Sequence, residues 1–113
     1  MDYRIVEFPL QELGIDHTAV AAGLTQAVRR DHRHYRLMAV LQSTRQVVFV
    51  LEVDPQQKDW EYVIDRLPGT QPAELLGQVE ARRQGGFHTR GQINLADGVT
   101  LGVFEKEAPA PTD

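Results

Sequence analysis

The chain has 113 residues, contains no cysteine and carries a formal net charge of -4 at pH 7. Without thiols it has neither a disulfide framework nor a thiolate that could bind a metal or attack a substrate. Its acidic balance is the opposite of the basic excess by which nucleic-acid binders displace counterions from phosphate. Residues 1–4 lack a signal-peptide pattern, and no apolar run approaches the roughly 20 residues that span a bilayer. We therefore expect a cytoplasmic protein without membrane contact, for which nucleic acid is not the favoured partner.

The first half of the chain predicts a strand, a helix and a hairpin, in that order. The stretch Tyr3–Pro9 alternates and is rich in β-forming residues, and its proline ends the strand. Asp16 and Thr18 supply N-cap chemistry for a helix that ends near residue 30. The two strands of the hairpin are predicted over 35–41 and Gln46–Val53.

The second half repeats this order. A short strand over 62–68 precedes a helix that starts near Thr70 and Pro72 and is stopped by Gly85 and Gly86. A second hairpin, over 87–95 and 99–106, turns at an Asp-Gly pair. Residues 107–113 hold two prolines and are predicted to be a disordered tail.

The two halves match in register as well as in order, which indicates an internal duplication. Tyr62 follows Tyr3 by 59 residues (62 minus 3), and Leu76 follows Leu24 by 52 (76 minus 24). The prediction is one domain over residues 1–106, built from repeats at about 3–53 and 60–106. We expect an α+β fold with a six-stranded, antiparallel-rich sheet, related to the ferredoxin-like fold. Both helices are expected on one face of this sheet, because right-handed crossovers place them on the same side.

Short motifs in the chain resemble known families. A tyrosine-led strand that ends in Pro9, a helix, and a hairpin that closes in Val103-Phe104-Glu105-Lys106 resemble small bacterial strand-helix-strand-strand domains of unknown function, here in tandem. The duplicated architecture is also similar to the gyrase-inhibitor-like ligand-binding fold. That second resemblance implies a small-molecule pocket between the repeats, and neither resemblance implies a catalytic residue.

The densest charge feature is the stretch 29–36, which holds four arginines and two histidines. Guanidinium groups suit phosphate and carboxylate, although cations near a helix C-terminus also compensate the helix dipole, and such runs are often solvated. The second repeat is basic at the equivalent place, which leaves open whether two basic edges meet in one groove. The candidate anion- or partner-binding residues are Arg29, Arg30, Arg33, His34, Arg36, Arg82, Arg83, His88 and Arg90.

Catalysis, metal binding and cofactor binding have no signature in this chain. The spacing of His32, His34 and His88 is poor for a metal, and the only serine, Ser43, lies in a predicted hairpin tip. No Gly-rich phosphate loop is present. We predict no catalytic residue, no metal ligand and no cofactor. Trp60 is either a lid over the edge of the core or an interface residue.

Several functions remain open at this stage. The first is a non-enzymatic binding or assembly module that forms a homodimer through its sheet, since a sheet with helices on one face leaves the other face to be covered. The second is a small-molecule sensor with its pocket between the repeats. A nucleic-acid accessory protein that uses the arginine clusters is third, and an enzyme is last.

Overall fold

The structure is a computed structural model that describes residues 3–29, 33–67 and 71–108. The elements in chain order are β1 (Tyr3–Pro9), α1 (Leu10–Val28), β2 (Tyr35–Gln42), β3 (Gln46–Val53), β4 (Trp60–Arg66), α2 (Pro72–Gln84), β5 (His88–Asn94) and β6 (Thr100–Glu107). This order confirms the predicted α+β class and is compatible with tandem strand-helix-strand-strand units. The last strand takes in Glu107, which was predicted to belong to the tail, and residues 109–113 of that tail lie outside the described part.

Helix α1 begins directly after Pro9 and is broken at Asp16, whose backbone is not helical (φ -151°, ψ 81°). The Asp16 carboxylate accepts a hydrogen bond from the Ala19 N–H at 3.1 Å, so it caps the second segment as predicted. The sequence did not predict the first segment because its six residues contain Gly14 and are too short to show a helical period. The predicted apolar stripe of the second segment is buried at Val20, Leu24, Ala27 and Val28.

The strands form two separate antiparallel sheets of three strands each. Sheet A has the order β1-β3-β2 and sheet B has the order β4-β6-β5, so the two repeats share one topology. Each sheet also carries a bulge, between Leu37 and Ala39 in sheet A and between Thr89 and Gly91 in sheet B. These bulges lie 52 residues apart (89 minus 37), which is the shift that relates the repeats in this region. The structural match supports the internal duplication.

The prediction of a single six-stranded sheet with both helices on one face is wrong, because the six strands form two sheets. Strands β2 and β5 lie side by side at what we call the seam, where side chains join them. The side-chain amide of Gln42 bonds both the N–H and the C=O of Asn94. A bulge bends its strand and interrupts the ladder. Both seam strands carry a bulge, and in the described part the hydrogen bonds across the seam come from side chains.

The inner faces of the two sheets and helix α1 enclose one core. Phe49 and Leu51 from sheet A, Ile64 and Val103 from sheet B, and Leu24 from α1 belong to the same buried cluster. Apolar side chains from both repeats therefore leave water together, and the core depends on the two repeats jointly.

Helix α2 lies on the opposite face of sheet B. Its Gln78 and Arg82 hydrogen bond to Asp65, which alternates along β4 with the core-facing Ile64. None of the α2 residues is buried, and Leu76 is exposed although its equivalent in α1, Leu24, is fully buried. The two helices thus lie in different layers. Helix α1 packs in the core, whereas α2 lies on the face of sheet B that points away from the core.

The outer face of sheet A is apolar for a reason that the duplication explains. Tyr3 and Ile5 are exposed there, whereas the equivalent Tyr62 and Ile64 of sheet B are buried in the core. In the same way Val50, which is half-buried, corresponds to the buried Val103. The two repeats use the same positions, but those of sheet B line the core and those of sheet A do not.

The free edge of β4 is covered by helix α1. The Thr25 hydroxyl accepts a hydrogen bond from the Tyr62 N–H at 3.0 Å and donates to the Ala21 carbonyl at 3.0 Å. We expect Thr25→Val to lower the free energy of unfolding by about 1–2 kcal/mol, because the isosteric side chain leaves the edge N–H without a partner. Thermal or urea unfolding measures this change. Thr18→Val, at an exposed position of the same helix, is the control and should change stability by less than about 0.5 kcal/mol.

Candidate functional site

A cleft of about 600 Å³ opens beside the seam. Both repeats line it, with Arg36 from β2, Trp60 from β4, Gly86 before β5, His88, Thr89 and Arg90 from β5, and Glu105, Lys106 and Glu107 from β6. Its size is within the range of pockets that hold small organic ligands. The cleft joins residues that are far apart in sequence because strands β5 and β6 meet β2 only in the folded protein.

A buried carboxylate forms the base of the cleft. Glu105 is 2 % exposed and accepts a hydrogen bond from Arg36 Nη2 at 2.9 Å. The Arg36 Nε–H lies 3.2 Å from one carboxylate oxygen and 3.3 Å from the other. Arg90 Nε completes the ion pair at 3.6 Å. A buried carboxylate is tolerated only when such partners compensate its lost hydration, and these partners come from both repeats.

The phenol of Tyr62 extends this network into the core. Its hydroxyl donates to Glu105 at 2.7 Å and accepts from the Leu37 N–H at 2.8 Å. Burial, followed by the neighbouring Glu105 carboxylate, raises the pKa of Tyr62 far above its ordinary value. The phenol therefore stays protonated and acts as a fixed donor. Arg90 Nη2 donates to the Leu37 carbonyl at 2.8 Å, so both peptide groups of Leu37 at the bulge are bound by side chains of the other repeat.

Arg36 and Trp60 form one wall of the cleft. The guanidinium of Arg36 lies 4.0 Å from the centre of the indole ring, and its hydrogen bonds to Glu105 raise the pKa of Arg36. Trp60 is only 9 % exposed, and its Nε1–H donates to Asp54 at 2.9 Å. Trp60 thus lies at the edge of the core and also borders the cleft.

Several hydrogen-bond donors in the cleft remain unused. Among the described residues, no partner hydrogen bonds to Nη1 of Arg36, Nη1 of Arg90 or the ammonium of Lys106, which lies 5.4 Å from the Phe87 ring. The two carboxylates of the cleft are already engaged by other groups. Glu105 is occupied by the network, and Glu107 lies 3.5 Å from Lys58. Three cationic side chains, Arg36, Arg90 and Lys106, thus share the cleft lining with two carboxylates, Glu105 and Glu107.

The structure brings three of the predicted binding residues together, since Arg36, His88 and Arg90 all line the cleft. The other described candidates lie elsewhere: His34 pairs with Asp59 at 2.9 Å, Arg82 pairs with Asp65, and Arg29, Arg33 and Arg83 are exposed away from the cleft. Arg30 lies outside the described residues.

Sequence reasoning missed Tyr62, Glu105 and Lys106. The internal repeat offered a signal for Tyr62 and Glu105. These two residues are opposite one another in sheet B, and their equivalents in the first repeat, Tyr3 and Glu52, are opposite one another in sheet A.

Comparison of the chain with protein-family models, with curated proteins and with solved structures gave no match. The resemblances to tandem strand-helix-strand-strand domains and to the gyrase-inhibitor-like fold therefore stay predictions.

Other features of the described part are less informative about function. A mainly apolar hollow of about 270 Å³ at the break in α1 is lined by Phe8, Glu12, Ile15, Asp16, Ala19 and Val20. No three histidine or acidic side chains among residues 3–29, 33–67 and 71–108 are grouped as a metal site. Neither described helix has the length and apolar character needed to cross a membrane.

Proposed function

We propose that this protein is a non-enzymatic binding module that holds a small organic anion, bearing carboxylate or phosphate groups, in the cleft beside the seam. The observation that carries the proposal is the presence of unused guanidinium and ammonium donors in a cleft of about 600 Å³. Guanidinium groups recognise carboxylate and phosphate with paired hydrogen bonds. The seam position also agrees with the pocket between the repeats that the gyrase-inhibitor-like resemblance implies.

The network supports binding in preference to catalysis. A general base must be able to accept a proton from a bound substrate. The Glu105 carboxylate already receives hydrogen bonds from Arg36 and Tyr62 and lies beside Arg90, so it has no role left as a base. Its contribution is to orient the two guanidinium groups, because each is held by an ion pair or a hydrogen bond on one side and keeps its other side towards the cleft.

The proposal is tested by titrating the protein with citrate and with pyrophosphate in a calorimeter, with sorbitol as a neutral probe of similar size. We expect both anions to bind and sorbitol to give no signal. Lys106→Met should weaken anion binding about tenfold, since a charge-assisted hydrogen bond contributes about 1.5–3 kcal/mol and 1.4 kcal/mol corresponds to a factor of ten. Lys106 makes no hydrogen bond within the described structure, so this variant should keep its melting temperature.

Arg83→Gln is the matched control, because Arg83 is an exposed cation on α2 away from the cleft. It should bind both anions like the wild-type chain. Equal weakening by Lys106→Met and Arg83→Gln would show that the anions respond to overall charge, and it would overturn the proposal, as would the absence of binding by either anion.

A further inference from the structure

The two sheets have four edge strands, β1 and β2 in sheet A and β4 and β5 in sheet B. In the described part of the chain, side chains cover three of these edges. The edge of β4 is covered by Thr25 of α1, and the edges of β2 and β5 meet at the seam through Gln42 and Arg90. The remaining edge belongs to β1. No described residue outside sheet A hydrogen bonds to the backbone of Tyr3, Ile5 or Glu7. Exposed strand edges of this kind are templates for pairing with another strand.

The direction of the unpaired groups follows from the register of β1 on β3. The Leu10 N–H donates to the Arg45 carbonyl at 2.9 Å, directly beyond the pair Pro9↔Gln46. Since hydrogen-bonded pairs alternate along an antiparallel ladder, the even-numbered residues of β1 bond to β3. Tyr3, Ile5 and Glu7 therefore point their N–H and C=O groups away from the sheet, and so does Pro9, which has no N–H to leave unpaired.

We propose that the outer edge of β1 binds the same edge of a second copy of this chain, in antiparallel orientation, with Ile5 facing Ile5 on the twofold axis. In this register Tyr3 of each copy faces Glu7 of the other. Tyr3, Ile5 and Glu7 of each copy then exchange backbone hydrogen bonds across the axis, and the two copies of sheet A form one continuous six-stranded sheet.

The side chains favour this register over its neighbours. Shifting the pairing so that Arg4 lies on the axis places two guanidinium groups opposite one another, and opposed like charges destabilise a strand pair. Shifting it the other way, with Val6 on the axis, places Pro9 opposite Tyr3, where the missing N–H loses a ladder bond. With Ile5 on the axis, each Glu7 carboxylate faces a phenol, and the Ile5 side chain, now 63 % exposed, gains an apolar neighbour.

A second copy fits this edge better than an unrelated strand because the pattern is its own complement. A twofold interface requires that one patch satisfy itself, and the pairs Ile5 with Ile5 and Tyr3 with Glu7 do so without placing two like charges opposite one another. The edge also lacks the lysines that keep exposed edges monomeric, since lysine is absent from β1.

Single cysteines test the proposal because the natural chain has none. In Ile5→Cys the two thiols would lie on the axis, where opposing Cα atoms are about 5.5 Å apart, a distance that a disulfide spans. Under mild oxidation this variant should convert almost wholly to a species of twice the monomer mass. Leu41→Cys is the control, since Leu41 is exposed on the same face of sheet A but on β2, and it should stay uncrosslinked at equal concentration.

Light scattering on the wild-type chain over a range of concentrations completes the test. A dimer together with selective crosslinking of Ile5→Cys supports edge pairing. Crosslinking of Leu41→Cys at a similar rate would indicate stacking of the two apolar faces and would overturn edge pairing. A wild-type monomer at every concentration would also overturn it, and neither result would affect the anion site beside the seam.

Discussion

Glu105→Ala is expected to lower the free energy of unfolding by about 3 kcal/mol, the largest loss that we expect from a single substitution in the cleft. Removing one partner of a buried ion pair costs about 3–5 kcal/mol, and the loss lies at the lower end here because the side chains of Arg36 and Arg90 are 37 % and 33 % exposed. Here the substitution deprives the Arg36 and Arg90 guanidinium groups of their carboxylate and leaves the buried Tyr62 hydroxyl without its acceptor. Urea unfolding monitored by circular dichroism measures the change.

The control for this variant is Glu107→Ala, two residues along the same strand. Glu107 is exposed and its ion-pair partner, Lys58, is partly exposed, so the pair contributes little. We expect a change of less than about 0.5 kcal/mol. Similar losses for the two variants would mean that the buried network does not hold the repeats together, which would contradict the structural account of the cleft.

Asp54→Ala is expected to lower the free energy of unfolding by about 3 kcal/mol at neutral pH. Asp54 is buried between the repeats and accepts hydrogen bonds from Trp60 Nε1–H at 2.9 Å and from the backbone N–H groups of Gln56 at 3.0 Å and Lys58 at 3.2 Å. Hydrogen bonds to a charged group contribute about 1.5–3 kcal/mol, and a buried donor left unsatisfied adds a penalty. Asp97→Ala, in the exposed β5–β6 turn with one backbone bond at 3.2 Å, is the control and should cost less than about 1 kcal/mol.

Asp54 also makes the stability of the wild-type protein depend on pH in the acid range. Burial alone would raise the pKa of Asp54, but the hydrogen bonds from Trp60, Gln56 and Lys58 outweigh it and hold the pKa below its ordinary value. The unfolded chain therefore takes up a proton on the Asp54 carboxylate at a higher pH, about 3.9, than the folded protein does. The stabilisation is complete above that pH and is lost as the pH falls through the folded pKa.

The gap in stability between the wild-type protein and Asp54→Ala should accordingly be constant at neutral pH and narrow below about pH 4. Unfolding followed by the fluorescence of Trp60, the single tryptophan, measures both curves. A gap that widens on acidification would contradict the assigned direction of the pKa shift.

The elements of the fold follow from local sequence patterns, whereas the arrangement of the sheets does not. The strand Gln46–Val53 was predicted with its observed limits because its apolar run and flanking turn are local signals. The two sheets meet at a seam that side chains join, among them Gln42, which reaches a strand 52 residues away. No periodicity within one element carries that information, so a continuous sheet was the natural expectation from the crossover rule.

The candidate site was predictable only in part, and for a similar reason. Arg36, His88 and Arg90 were chosen from charge density and from the repeat, and the fold brings them into one cleft. Glu105 has the sequence context of an ordinary strand residue that faces solvent. Glu105 is buried because its face of sheet B lines the core. Its equivalent in sheet A, Glu52, lies on the outer face and is only half-buried.

The central claim, that the cleft beside the seam binds a small organic anion, is tested most directly by nuclear magnetic resonance during a titration with citrate. We expect saturable shifts of the Arg36 and Arg90 Nε–H signals and of the amide signals of His88 and Lys106, with no shift at Arg83. Shifts that are absent, or that spread over exposed cations such as Arg83 and Arg66 without saturation, would contradict it.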